Sequence, residues 1–160
     1  MSDLPEVPQF GALLRGHISS VPDEARPVFL SGLERSAAER YRQWAEQLPE
    51  YADELLGCAR REDEIAELVA DLFPVSAELQ QQVDEAMPAA VALYYEVFAP
   101  HPPLHQLYLQ SEAELQGAMA WVGMAEAVTD DATRSTLERC TALERESSVV
   151  VKQLLDGVLT

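Results

Sequence analysis

The sequence predicts an all-α fold. Apolar residues recur at steps of three and four along five long stretches, the period of one helix face. Prolines, a glycine and capping residues punctuate those stretches at their ends. No stretch alternates apolar and polar residues in the manner of a half-buried strand.

Residues 1–21 read as an irregular N-terminal arm, because Pro5, Pro8, Gly11 and Gly16 interrupt any period. Leu13, Leu14 and Ile18 could still dock as a short helix or strap. Residues 22–157 read as one helical-bundle domain. The first long helix is expected from about Asp23 to Leu48, where Pro49 stops it. Its apolar stripe is Leu30, Leu33, Ala37, Tyr41, Trp44 and Leu48, with Glu34 inside the stripe and Glu39 outside. The second runs from about Glu50 to Phe73, with acids at its positive N-terminal end and Pro74 after it. Glu62 falls near the centre of its inward face, among Cys58, Ala59, Ile65 and Ala66.

A third helix is expected from Ser76 to about Ala99, kinked at Pro88 but continuous. A fourth covers about Leu104 to Val128, with Leu107, Ser111, Leu115, Ala118, Val122 and Ala125 inward. Thr129, Asp130 and Asp131 supply a cap and an acidic first turn for a fifth, which Gly157 ends.

At 160 residues the chain is long enough to bury one core. It carries 28 acidic against 11 basic residues, a formal charge of −17. Phosphate backbones and anionic membrane surfaces repel such a chain, which argues against nucleic-acid and membrane partners. The start, MSDLPEVPQF, lacks a basic region followed by an apolar run, and no segment is apolar enough to span a bilayer. A cytoplasmic location is the expectation. Two cysteines make no disulfide framework.

The chain repeats itself. LLGCARREDEIAELVADLF, residues 55–73, and LERCTALERESSVVVKQLL, residues 137–155, set Cys58 against Cys140, Glu62 against Glu144 and Glu64 against Glu146. The matched cysteines are candidates to face each other, with core packing the simpler reading. Trp44 pairs with Trp121, which places Glu34 opposite Ser111. Short connections join the helices within each pair, and the long third helix separates the pairs.

Two antiparallel helix pairs joined by one long crossover resemble the ferritin-like four-helix bundle, here with an additional helix in the crossover. That resemblance implies a di-metal site, with a lone Glu from two helices and Glu-x-x-His from the other two. Glu34 matches one lone Glu; Glu62 and Glu144 match the paired motifs. Ile65 and Ser147 occupy the histidine positions, and Ser111 stands where the other lone Glu belongs. Glu112 or Glu114 is the candidate fourth carboxylate.

Inward acids carry the functional reading. A lone buried carboxylate must be protonated, paired, hydrated or bound to a metal. No Lys or Arg falls at the middle of an inward stripe near Glu34, Glu62 and Glu144, while Tyr41, Ser111 and Ser147 could donate hydrogen bonds. The favoured expectation is a non-enzymatic module with a vestigial carboxylate site and no cofactor, acting by self-association as a homo-oligomer or by binding an unidentified protein. The alternative is a metal-binding oxidoreductase or storage protein holding iron or manganese in an all-carboxylate site. His101 and His105 straddle two prolines, which favours a loop over a metal-ligating helix face, and His17 stands alone.

Overall fold

Six helices organise the chain in the computed structural model, which describes residues 3–159. They are α1 (Phe10–Ile18), α2 (Arg26–Gln47), α3 (Ala52–Leu72), α4 (Ala77–Phe98), α5 (Pro103–Ala127) and α6 (Asp131–Asp156). Short 3-10 turns at Asp23–Ala25 and Pro49–Tyr51 lead into α2 and α3. Among the described residues there is no strand.

Local chemistry sets the ends. The Ser76 hydroxyl accepts the Leu79 N–H at 3.2 Å and so caps α4. Asp130, rather than Thr129, caps α6 by accepting the Thr133 N–H at 2.7 Å. Pro27 and Pro103 sit in first turns, where a missing N–H costs nothing. Pro88 lies inside α4, and the helix continues through it.

The chain packs as two pairs. α2 lies on α3, α5 on α6, and α3 joins the pairs by packing on α6. Side-chain contacts fix the directions. Arg61 reaches Ser147 and Arg139 reaches Glu64, so α3 and α6 run antiparallel. Tyr41 reaches Glu114 and Trp44 reaches Gln106, so α2 and α5 do too. α4, the helix between the pairs, packs against α2.

The N-terminal arm is not irregular throughout but takes the short docked helix that Leu14 and Ile18 allowed. Residues 10–18 form α1, which packs against α2, α4 and α5. Phe10 and Leu14 are buried, with the Phe10 ring stacked on Tyr94 at 5.3 Å, whereas Leu13 points outward at 42% exposure. Gln116 of α5 fastens the segment from both sides. Its Oε1 accepts the Phe10 N–H, and its Nε2 donates to the Pro8 carbonyl, each at 2.9 Å. Aromatic burial and two hydrogen bonds thus outweigh the weak helix propensity of a nine-residue segment with two glycines.

The four-helix core has two apolar ends. One gathers Tyr41, Trp44, Leu55, Cys58, Leu107 and Val151. The other gathers Ile65, Val69, Trp121, Leu137, Cys140 and Leu143. Cys58 and Cys140 therefore do not face each other. Each precedes its glutamate by one turn on antiparallel helices, which sends the two thiols to opposite ends, where both are free. The glutamates lie between the two ends.

A candidate carboxylate cation site

Each of the four core helices carries a seam at alternating steps of four and three. On α2 it runs Leu30, Glu34, Ala37, Tyr41, Trp44; on α3, Leu55, Cys58, Glu62, Ile65, Val69. On α5 it runs Leu107, Ser111, Glu114, Ala118, Trp121; on α6, Leu137, Cys140, Glu144, Ser147, Val151. This is heptad spacing, which keeps one line of side chains facing a partner over many turns. Every seam holds one glutamate, and antiparallel packing brings the four into one layer.

Three of them converge closely. One carboxylate oxygen from each of Glu34, Glu62 and Glu144 lies within 4.8 Å of the others, the only such group of ligand atoms among the described residues. Glu62 and Glu144 are buried, while Glu34 is partly exposed and lines a cavity of about 130 Å³ beneath α1. Glu114 lines the same cavity and is the fourth acid of the layer. Its Oε1 accepts the Tyr41 hydroxyl at 2.6 Å and the Gln110 amide at 2.8 Å.

Glu112 does not join them. It pairs with Lys152 at 2.8 Å on the partly exposed flank of α5 and α6. Ser111, matched to Glu34 by the repeat, turns its hydroxyl back to the Tyr108 carbonyl. The fourth carboxylate stands one turn further along α5 than the repeat implies. The stripe through Leu115 and Val122 misplaced that face; Leu115 is exposed, and Glu114 and Trp121 are buried in its place. Ser147 also turns from the acids, its hydroxyl accepting the Arg61 Nε–H at 3.0 Å. His105 lies in the first turn of α5 rather than in a loop, and His101 precedes that helix.

A buried cation was missed. Arg40 is only 3% exposed, folded back to Ser36 and linked through Gln110 to Glu114. It lies off the seam of α2, beside Tyr41, so periodicity alone gave no reason to place it inside. Its aromatic cover gives the reason: the guanidinium sits 4.6 Å from the Tyr94 ring and 5.3 Å from the Phe98 ring.

The acids differ in what they meet. The Glu144 Oε1 accepts the Trp121 indole N–H at 2.9 Å. No N–H or hydroxyl reaches either oxygen of Glu62, whose one hydrogen-bond partner is the neighbouring Glu34 carboxyl. Burial, and then the charges of Glu114, Glu144 and Glu34, push Glu62 well above the ordinary carboxyl range. Burial and then Glu34 do the same to Glu144. Glu34, also raised mainly by burial, reaches about 7 because bonds to Glu62 and Glu144 favour its ionised form. Without a cation the layer therefore holds protons at neutral pH, shared between neighbouring carboxyls.

Gly117 gives Glu144 its position. A β-carbon there would stand 2.7 Å from the Glu144 Oε1 and 3.2 Å from its carboxyl carbon. Gly117→Ala should push that carboxylate away from Glu34 and Glu62. Helix propensity gained and crowding introduced are of similar size, so stability should change by about 1 kcal/mol or less. Titration with manganese, monitored calorimetrically, should meanwhile find affinity reduced about tenfold or more, the equivalent of about 1.4 kcal/mol.

The donor set decides which ions fit. It offers only carboxylate oxygen, since Ile65 and Ser147 stand where imidazoles would be. Oxygen-only sites suit hard cations, and oxygens on opposite sides of such a divalent ion stand about 4–5 Å apart. The Glu62 oxygens, met by no N–H or hydroxyl, and the spacing of the three acids fit such an ion. No helix of the described residues is long and apolar enough to cross a membrane. No protein-family model matches the chain, and no curated protein or solved structure matches it either.

Proposed function

We propose that the protein is a ferritin-like helical module that binds a hard divalent cation, manganese or iron, in its central glutamate layer. The observation that carries this is Glu62: a fully buried carboxyl that no N–H or hydroxyl reaches, bonded only to another acid and close to a third. A buried acid of that kind is costly unless something satisfies it. A divalent ion would satisfy it together with Glu34 and Glu144, displacing the protons they hold. Glu114, fixed by Tyr41 and Gln110, would remain beside the ion as a further oxygen donor or as a hydrogen-bond acceptor. The pairing of α2 with α3 and α5 with α6, separated by α4, supports the ferritin-like reading of the bundle.

One observation favours a second reading. Both histidine positions are filled by residues that suit a core, so the layer can instead be a vestigial site that stays protonated. The module would then act through its surface, in self-association or partner binding.

Elemental analysis of protein purified without chelator separates the two. About one manganese or iron per chain, lost in Glu144→Ala, supports cation binding. Metal-free protein that also fails to take up either ion when titrated leaves only the vestigial reading.

A further inference from the structure

Arg40 is the one buried basic residue among those described, and it is not paired with an acid. Every ion pair among the described residues involves a more exposed Arg or Lys. Arg40 Nη1 donates to the Ser36 hydroxyl at 3.0 Å and Nη2 to the Gln110 carbonyl oxygen at 3.3 Å, both neutral acceptors. Its Nε–H has no partner. The rings of Tyr94 and Phe98 offset part of the desolvation but leave that N–H unmet. A guanidinium so placed is costly unless an anion joins it.

The cavity beneath α1 is where an anion could do so. Arg40 lines it, and so do Glu34, Glu114 and Glu144. Its wall also includes the apolar side chains of Phe10, Leu33 and Trp121 and the amides of Gln110 and Gln116. The volume, about 130 Å³, is close to that of an engineered cavity that admits benzene, so it suits a ligand on the order of six non-hydrogen atoms. Arg40 lies six residues beyond Glu34 on α2, about 9 Å of helix rise, but its side chain turns back to Ser36 and shortens the gap.

A simple carboxylate would meet Arg40 but face three acids. A simple amine would meet the acids but leave Arg40 unsatisfied. A ligand with both groups answers both ends and adds no net charge. We infer that the cavity beneath α1 binds a small zwitterionic amino acid, with its carboxylate on Arg40, its ammonium against Glu34 and Glu114, and its short side chain against Phe10, Leu33 and Trp121. Glu34 lines both this cavity and the acid layer, so an ion in the layer competes with the ammonium for it, and the metal-free protein is the form that should bind best.

The test is calorimetric titration of the full chain, both freed of metal and loaded with manganese. The probes are glycine, alanine and valine, with ethylamine and propionate as single-ended controls. Saturable binding of alanine or valine is expected in the metal-free form, at least tenfold tighter than either control, and weaker once manganese is loaded. Arg40→Gln should weaken it at least tenfold. Gly11→Leu is the second variant. A β-carbon at Gly11, a lining residue, meets no atom within 4 Å, so the new side chain can fill the cavity while every polar group stays in place. It should abolish amino-acid binding while leaving manganese uptake intact.

No saturable binding in the metal-free form would overturn the inference. So would controls that bind as well as alanine, or wild-type affinity in both variants. Binding confined to manganese-loaded protein and indifferent to Arg40→Gln would overturn it as well, since that is chelation of the ion. Amino-acid binding without any manganese uptake would uphold it and remove the cation reading instead.

Discussion

Glu62→Leu should raise the melting temperature of the cation-free protein and abolish its further stabilisation by manganese. Glu62 is fully buried between Cys58, Ala59, Ile65 and Ala66 of its own helix face, and no N–H or hydroxyl reaches either oxygen. Leucine has a similar volume and needs no partner. A buried polar group that is poorly met costs about 1–3 kcal/mol, and an apolar residue of similar shape removes that cost. For a chain of this length each kcal/mol moves the melting temperature by about 2–4 °C. Glu144→Leu should behave oppositely, because it strands the Trp121 indole N–H, now bonded at 2.9 Å. A buried donor left unmet costs about 1–3 kcal/mol. Thermal melts of the two variants, with and without excess manganese, measure both effects. A cation-free Glu62→Leu protein that melts several degrees below wild type would mean that Glu62 is held by bonds the geometry does not provide.

Much of this layer was legible because burial leaves a period in the sequence. The repeat around Cys58 and Cys140 located Glu62 and Glu144, and the stripe of α2 located Glu34. Helix ends followed from Pro49, Pro74, Ser76 and Gly157, whose effects are local. Three things were harder to read, each for a tertiary reason. Glu114 lay one turn from the place the repeat indicated; the steps from Leu107 through Ser111, Glu114, Ala118 and Trp121 mark its face only if heptad spacing is preferred to the repeat. Arg40 is buried because Tyr94 and Phe98 of another helix cover it. The order of α1 comes from Gln116 and Tyr94, both distant in sequence, which outweigh its two glycines.

The same layer should make the cation-free protein lose stability as pH rises through neutrality. In the unfolded chain Glu34 ionises near 4.5, and in the folded protein near 7. Between those values the folded state holds a proton that the unfolded state has released, so stability falls with rising pH. The contribution is full below about 4.5 and is lost as pH passes through about 7. Moving one carboxyl that far corresponds to about 3 kcal/mol. Glu62 and Glu144, raised further by burial, extend the loss to higher pH. The surface acids of a chain with charge −17 repel one another over the same range, but about 0.5 M salt screens exposed charges far more than buried ones. Urea unfolding at that salt, from about pH 4.5 to 8, should therefore retain the decline. Manganese should flatten it, because the ion replaces the protons and binds more tightly as they leave. Stability that is level or rising over this range without metal would mean that the four carboxyls are not packed together in a dry layer.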